Sequence, residues 1–292
     1  MEFSLDLGDL TTPATLDAPD GPCRGGVVVT HGGQAPQRDY FLYEHLAKVL
    51  PPQGFAVLRY ERRPSPVGDD IPFDRQAADA VVALRHLRSH IGAGLAVGLW
   101  GVSQGGWAAP FTAATYPDEV DFVVACSAPG VSPGQQMRYG TERQLRRHGF
   151  GDAEVAELLR VRSAAEEFLR GNGDRDTAQG LIDSVTDRPW FQYAYLPPEL
   201  PPEPGAWVDM DHDPAPIFER VTCPVLAVYG ETDAWVPIDE SIGVWRRALP
   251  SVEIFRVPGC DHLLSFEDRE EVEAVSPDYT KALIAWLERR TP

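Results

Sequence analysis

Cysteine is scarce in this 292-residue chain, with four occurring at Cys23, Cys126, Cys223 and Cys260. No two form a C-x-x-C pair and no histidine-rich spacing accompanies them, so neither a disulfide framework nor a metal site is indicated. Cys126 lies in an apolar run and Cys223 begins another, which suits small buried hydrophobes. Positive charge is also in short supply. Against 44 Asp and Glu there are 26 Lys and Arg, a formal net charge of -18. A field of that sign repels phosphate backbones and anionic lipid, which argues against nucleic-acid and membrane partners. No apolar run is long enough for a transmembrane helix. The acidic stretch Met1–Asp9 lacks the basic segment and apolar core of a cleaved secretion signal, so a reducing cytoplasm is the expected compartment. Internal repeats and low-complexity tracts are absent as well.

What is present is ordinary globular material, 43% apolar and 24% charged. Short, continuous apolar runs recur: Val27–Thr30, Gly54–Tyr60, Leu95–Trp100, Asp121–Cys126, Pro224–Tyr229 and Val252–Val257. Continuous rather than alternating hydrophobicity predicts strands covered on both faces, as in a parallel sheet. Helical spacing separates them over Tyr40–Leu50, Phe73–Ile91, Trp107–Thr115 and Ile238–Leu249, and again over Pro277–Arg290. This alternation predicts an α/β fold with a mostly parallel, doubly wound sheet. The turn signals of the first 24 residues predict an antiparallel edge hairpin. Residues 130–220 interrupt the pattern. Glu142–Leu169 has helical spacing with dense charge, and Trp190, Phe191, Tyr193, Tyr195 and Trp207 follow among prolines. The expected organisation is a core of residues 1–129 and 221–292 with an inserted, mainly helical cap over 130–220. Some of the cap aromatics should anchor it to the core, and one or two should line a pocket.

Residues 101–105 read Gly-Val-Ser-Gln-Gly at the end of the Leu95–Trp100 run. This G-x-S-x-G pattern, between a buried strand and an Ala-rich helix, fits a tight turn that exposes a strained serine at a helix N-terminus. Negative charge developing on a substrate oxygen is stabilised at such a position. A serine hydroxyl needs a histidine to take its proton, and the histidine needs an acid to hold its tautomer. Of seven histidines, His45, His86 and His90 lie in amphipathic helices and His148 in the charged cap. His262, in a Pro-Gly-Cys-Asp-His loop after Val252–Val257, stands where ligands bind in such sheets. The acid should follow another strand. Asp233, a few residues beyond Pro224–Tyr229, is the choice, with Glu231 the near alternative and Asp211 and Asp213 weaker ones. The oxyanion donors should be the backbone N–H of Gln104 and one from His31-Gly32-Gly33-Gln34, with Gly33 chosen and Gln34 the alternative. His31 reads as a structural histidine of that loop.

On His31-Gly32-Gly33, Gly101–Gly106, Gly230-Glu231-Thr232-Asp233 and Asp261-His262, the chain resembles the α/β-hydrolase superfamily across nearly everything outside the cap. The stretch ending in Arg38-Asp39 looks like its serine-aminopeptidase-like esterase and acyl-CoA thioesterase-like branch. The resemblance implies an α/β-hydrolase fold with Ser103 as nucleophile, His262 as base and Asp233 as orienting acid. It departs at Arg62-Arg63-Pro64-Ser65-Pro66, where relatives commonly carry Arg-Gly and where proline forces a different loop. The expected activity is hydrolysis of a carboxylic ester or thioester of a small hydrophobic molecule through an acyl-enzyme, with no cofactor. Transfer of the acyl group to another acceptor, or cyclisation, would use the same residues in a drier site. A non-catalytic, ligand-binding member of the fold should lack one of the three.

Overall fold

The apolar runs become strands because helices cover both of their faces. The computed structural model describes residues 1–65, 71–92, 94–267 and 269–290, so Pro66 of the departing loop lies outside the described residues. The chain opens with an antiparallel hairpin, β1 (Glu2–Asp6) and β2 (Thr11–Asp17). The strands that follow are β3 (Gly25–Thr30), β4 (Phe55–Tyr60), β5 (Ala96–Val102), β6 (Val123–Cys126), β7 (Val225–Gly230) and β8 (Glu253–Val257). They are mutually parallel, and the hairpin joins them through an antiparallel β2–β4 pairing. The order in the eight-stranded sheet is β1-β2-β4-β3-β5-β6-β7-β8. Every residue of β3, β4, β6 and β7 is buried, as strands sandwiched between helical layers must be.

Helices α1 (Phe41–Val49), α2 (Phe73–Ile91) and α3 (Gln104–Thr115) link β3 to β6. On one face α2 and α3 bury Leu84, Leu87 and Ala109 against Val28, Leu99 and Ala125 of the sheet. On the other, α1 sets Leu42 and Leu46 against Val27, Val29 and Val57. The chain runs from β3 to β4 on one side and returns to place β5 on the other side of β3. That reversal opens a crevice beyond the carboxyl ends of β3 and β5.

The segment between β6 and β7 has its own apolar cluster, including Leu145, Leu158, Phe168, Ile182 and Trp190. Its helices are α4 (Pro133–Arg147), α5 (Asp152–Leu169), α6 (Arg175–Asp183) and the single turn α7 (Ala215–Phe218). The charged stretch Glu142–Leu169 is therefore two helices. Gly149, at φ 84°, breaks it, and Glu154 receives the Gly151 N–H (3.0 Å) to start the second. Helix α6, absent from the periodicity reading, starts where the Asp174 carboxylate accepts the Thr177 N–H (2.8 Å). Helices α8 (Ile238–Ala248) and α9 (Pro277–Arg290) complete the two layers.

A close backbone approach that bears on the site lies where β3, β5 and α3 meet. A Cβ on Gly101 would stand 2.1 Å from the Gly105 carbonyl oxygen and 2.3 Å from Thr30 Oγ1. A Cβ on Gly105 would stand 2.3 Å from the Thr30 carbonyl oxygen. The Thr30 hydroxyl spans the junction by donating to the Gly105 carbonyl at 3.1 Å. The Gly105 and Thr30 carbonyls among the obstructing atoms are backbone and cannot turn aside. Gly101→Ala is expected to lower stability by about 3 kcal/mol or more, the upper end for an overpacked site. Urea denaturation measures this, and a midpoint equal to that of the unmodified protein would refute the close contact.

Candidate active site

Ser103 joins β5 to α3 with φ 55° and ψ -114°, a positive φ that a serine keeps only where its surroundings impose it. Its N–H donates to the Cys126 carbonyl (3.0 Å) and its carbonyl accepts the Gly106 N–H (2.8 Å), so both neighbouring peptides are pinned. The hydroxyl sits at the N-cap of α3, the positive end of that helix.

Asp233 and His262 arrive on the loops after β7 and β8. The His262 Nδ1–H donates to Asp233 Oδ2 at 2.8 Å. Asp233 is 5% exposed, and its other oxygen accepts the N–H groups of Trp235 (2.7 Å) and Val236 (3.2 Å). The histidine loop is braced from two sides. Asp261 Oδ1 accepts the Leu263 and Ser265 N–H groups at 2.9 and 3.2 Å, and the Ser127 hydroxyl donates to the His262 carbonyl at 2.7 Å. Burial pushes the His262 pKa down, but the charge and hydrogen bond of Asp233 and the charge of Asp261 outweigh it. The net effect is a rise above the ordinary 6.5. The other acids are engaged elsewhere or exposed. Glu231 is exposed on its turn, Asp211 pairs with Arg170 at 2.7 Å, and Asp213 accepts the Ala215 N–H at 3.0 Å.

Ser103 and His262 line one cavity of about 660 Å³ together with Gly33, Gln34 and Gln104. Among the described residues no hydrogen bond joins Ser103 Oγ to His262; in unliganded sites such contacts are often long and tighten on binding. A separate groove of about 550 Å³ between α1 and α9, lined by His45, Thr280 and Lys281, contains none of these residues.

The loop after β3 is held from several directions. His31 Nε2–H donates to the Tyr60 carbonyl at 2.6 Å. Burial drives the His31 pKa down to about 3, with the Tyr60 bond opposing and the Arg62 charge adding to the fall, so the ring stays neutral. The Tyr43 hydroxyl accepts the Gly32 N–H (2.9 Å) and donates to the Ala35 carbonyl (3.0 Å). The Gly33 N–H has no hydrogen-bond partner among the described residues. Arg62, which sequence marks only as part of the departing loop, enters from the end of β4 and donates to the Gly32 and Gly33 carbonyls and to Gln104 Oε1 (3.3, 2.8 and 2.6 Å). Its position next to the carboxyl end of a central strand is the signal that could have marked it.

Of the aromatic residues in 130–220, Tyr195 and Trp207 line the cavity. Trp190 is buried in the segment's own cluster, with Phe191 and Tyr193 against it. The Arg162 guanidinium, itself buried, donates to the Ala194 and Tyr195 carbonyls and ties this strand-less stretch to α5. Phe73, Trp107 and Trp235 face the same cavity, and α4 adds Gln136, Met137 and Gln144. With Pro133 and Arg147 of the same helix these fall at i, i+3, i+4, i+11 and i+14, one face of α4, a spacing legible in sequence only once α4 is known to lie over the site. Among the described residues no group of three or more His, Cys, Asp or Glu could hold a metal ion, and no helix is long and apolar enough to cross a membrane.

Residues 27–275 match the model of the Alpha/beta hydrolase family, and the chain belongs to that family. No curated protein matches it in sequence. Solved structures with the same fold include Est1E from Butyrivibrio proteoclasticus, at 16% identity and a TM-score of 0.62 over 99% of this chain and 98% of that one. Proline iminopeptidase from Mycobacterium smegmatis aligns at 19% identity and a TM-score of 0.62 over 100% and 99% of the two chains. A thermophilic esterase from Thermogutta terrifontis aligns at 18% identity and a TM-score of 0.57 over 100% of each.

The environment of His262 sets an expected titration. The imidazole should titrate above 6.5 in the unmodified protein. Asp233→Asn removes the charge and weakens the hydrogen bond while burial stays, so its pKa should fall below the unmodified value. NMR titration of the ring protons measures both, and an unchanged pKa in the variant would contradict the assigned cause.

Proposed function

We propose that this protein is a serine hydrolase that cleaves a carboxylic ester or thioester of a small hydrophobic molecule through an acyl-enzyme. The observation that carries this reading is the 2.8 Å bond from His262 Nδ1 to the buried Asp233. It commits one ring nitrogen to the acid and leaves Nε2 to serve the cavity that Ser103 also lines. Ser103 Oγ attacks the substrate carbonyl carbon as His262 Nε2 takes its proton, and the resulting oxyanion is received by the N–H groups of Gly33 and Gln104. Collapse breaks the bond to the leaving group, which departs with the proton held by His262. Water then enters, gives a proton to His262 and releases the acid by the same steps in reverse. Asp233 keeps the imidazole in the productive tautomer and stabilises the imidazolium.

Residues 130–220 act in this reading as a cap. Met137, Tyr195 and Trp207 from that segment line the cavity together with Phe73 and Trp107, which favours an apolar acyl group. An ester or thioester is preferred over an amide because neither requires special protonation of its leaving group. The free cysteines, Cys126 and Cys260 among them buried, accord with a reducing cytoplasm.

Ser103→Ala should lower kcat on an activated ester by about 10⁴-fold or more while leaving thermal unfolding near that of the unmodified protein. A fluorophosphonate should label the unmodified protein at Ser103 and leave the variant unlabelled, as read by intact-protein mass spectrometry. Full ester turnover by the folded variant would refute the assignment.

A further inference from the structure

The geometry points to Arg62 as the positioning residue that aims and polarises the oxyanion-binding peptides, an inference that rests on the acyl-transfer reading above. Arg62 and Arg63 follow the end of β4 and diverge. Arg63 is buried and donates to both oxygens of Asp79 (2.7 and 2.8 Å) and to Asp9, which anchors the loop to α2 and to the β1–β2 turn. Arg62 instead reaches the loop after β3. Its backbone N–H donates to the Pro36 carbonyl at 2.8 Å, and its guanidinium takes the carbonyls of Gly32 (3.3 Å) and Gly33 (2.8 Å).

Those two carbonyls matter because of what lies at the other end of each amide. The Gly32 carbonyl and the Gly33 N–H belong to one peptide group, and the Gly33 carbonyl and the Gln34 N–H to the next. In a trans peptide the C=O and N–H bonds point in opposite directions. A guanidinium holding both carbonyls therefore directs both N–H groups away from itself, and Gly33 and Gln34 both line the cavity beside Ser103. Two consecutive glycines would otherwise leave these peptide planes free to rotate. A charged donor on an amide oxygen also strengthens the N–H of the same amide as a donor. The third bond, to Gln104 Oε1 at 2.6 Å, fixes the side chain of the residue that supplies the remaining oxyanion N–H. One planar fork thus links both halves of the oxyanion site, which a flexible ammonium cannot reproduce.

Oxyanion donors act mainly once the carbonyl oxygen has become charged, so loss of Arg62 should appear in kcat and in affinity for tetrahedral anions. With an activated ester, Arg62→Met should lower kcat about 10- to 100-fold, less than the loss of a donor itself, and leave KM within about threefold. Affinity for an alkyl boronic acid and the rate of fluorophosphonate labelling should fall by a similar factor, while affinity for the product acid stays unchanged. Arg62→Lys should be intermediate, and millimolar guanidinium ion should restore part of the kcat of Arg62→Ala. A folded Arg62→Met with unaltered kcat, or with boronate and product-acid affinities reduced alike, overturns the proposal. If neither Arg62→Met nor Arg62→Ala folds, Arg62→Lys carries the test, and unmodified boronate affinity there overturns it. Labelling of the unmodified protein separates the two levels. No adduct at Ser103 removes the acyl-transfer reading and this proposal together, whereas equal labelling rates in unmodified and Arg62→Met protein remove only the role of Arg62.

Discussion

Where β3, β5 and α3 converge there is no room for a Cβ on Gly101 or Gly105, and the geometry around Ser103 follows from that crowding. Gly101 and Gly105 let the backbones of strand and helix approach Thr30 to distances that a Cβ would forbid. The turn between them is then too short for relaxed backbone, so Ser103 takes its positive φ. The same convergence sets the end of β5 beside the end of β3 and brings the His31–Pro36 loop next to the start of α3. Strain at one residue is held in place by contacts that the sheet would make in any case.

Around that junction the polar groups are arranged so that each mobile piece is fixed by a neighbour from a distant part of the chain. Asp233 is gripped by two backbone N–H groups and in turn holds His262. The His262 loop is tied to β6 through Ser127 and internally through Asp261. Burial and charge pull the histidine in opposite directions, and charge prevails because two carboxylates lie near the ring. At His31 the balance is reversed. With a neutral carbonyl as partner and the Arg62 guanidinium nearby, burial wins and the ring stays uncharged. The two histidines are thus shifted in opposite directions because of what stands beside each.

Much of this was legible beforehand, for reasons particular to each element. The parallel strands declared themselves because burial on both faces leaves no polar alternation. The hairpin over the first residues followed from its turn signals. The tight serine turn was readable because its steric demand falls on the residues two positions either side. Asp233 and Glu231 differ in their place beyond the strand, and in the folded chain Asp233 is buried while Glu231 is exposed. Helical spacing over Glu142–Leu169 is readable, but the break within it is not, because charge density and periodicity persist across Gly149, where the backbone turns to positive φ. Helix α6 is not legible from periodicity because it is short and its apolar positions are few.

The sequence by itself determined whatever depends on neighbours along the chain: strand and helix periodicity, the strained serine turn, and the strand ends after which Ser103, Asp233 and His262 fall. Tertiary structure alone decided which side chains meet across the cavity and which of two adjacent arginines serves the site. Arg62 and Arg63 are identical in type and consecutive in the chain. One is taken up by Asp79 and Asp9, and the other by the carbonyls of Gly32 and Gly33. Local physics could not distinguish them, because a hydrogen bond depends on distance and direction in space, and those are set only when β3, β4 and α2 have packed.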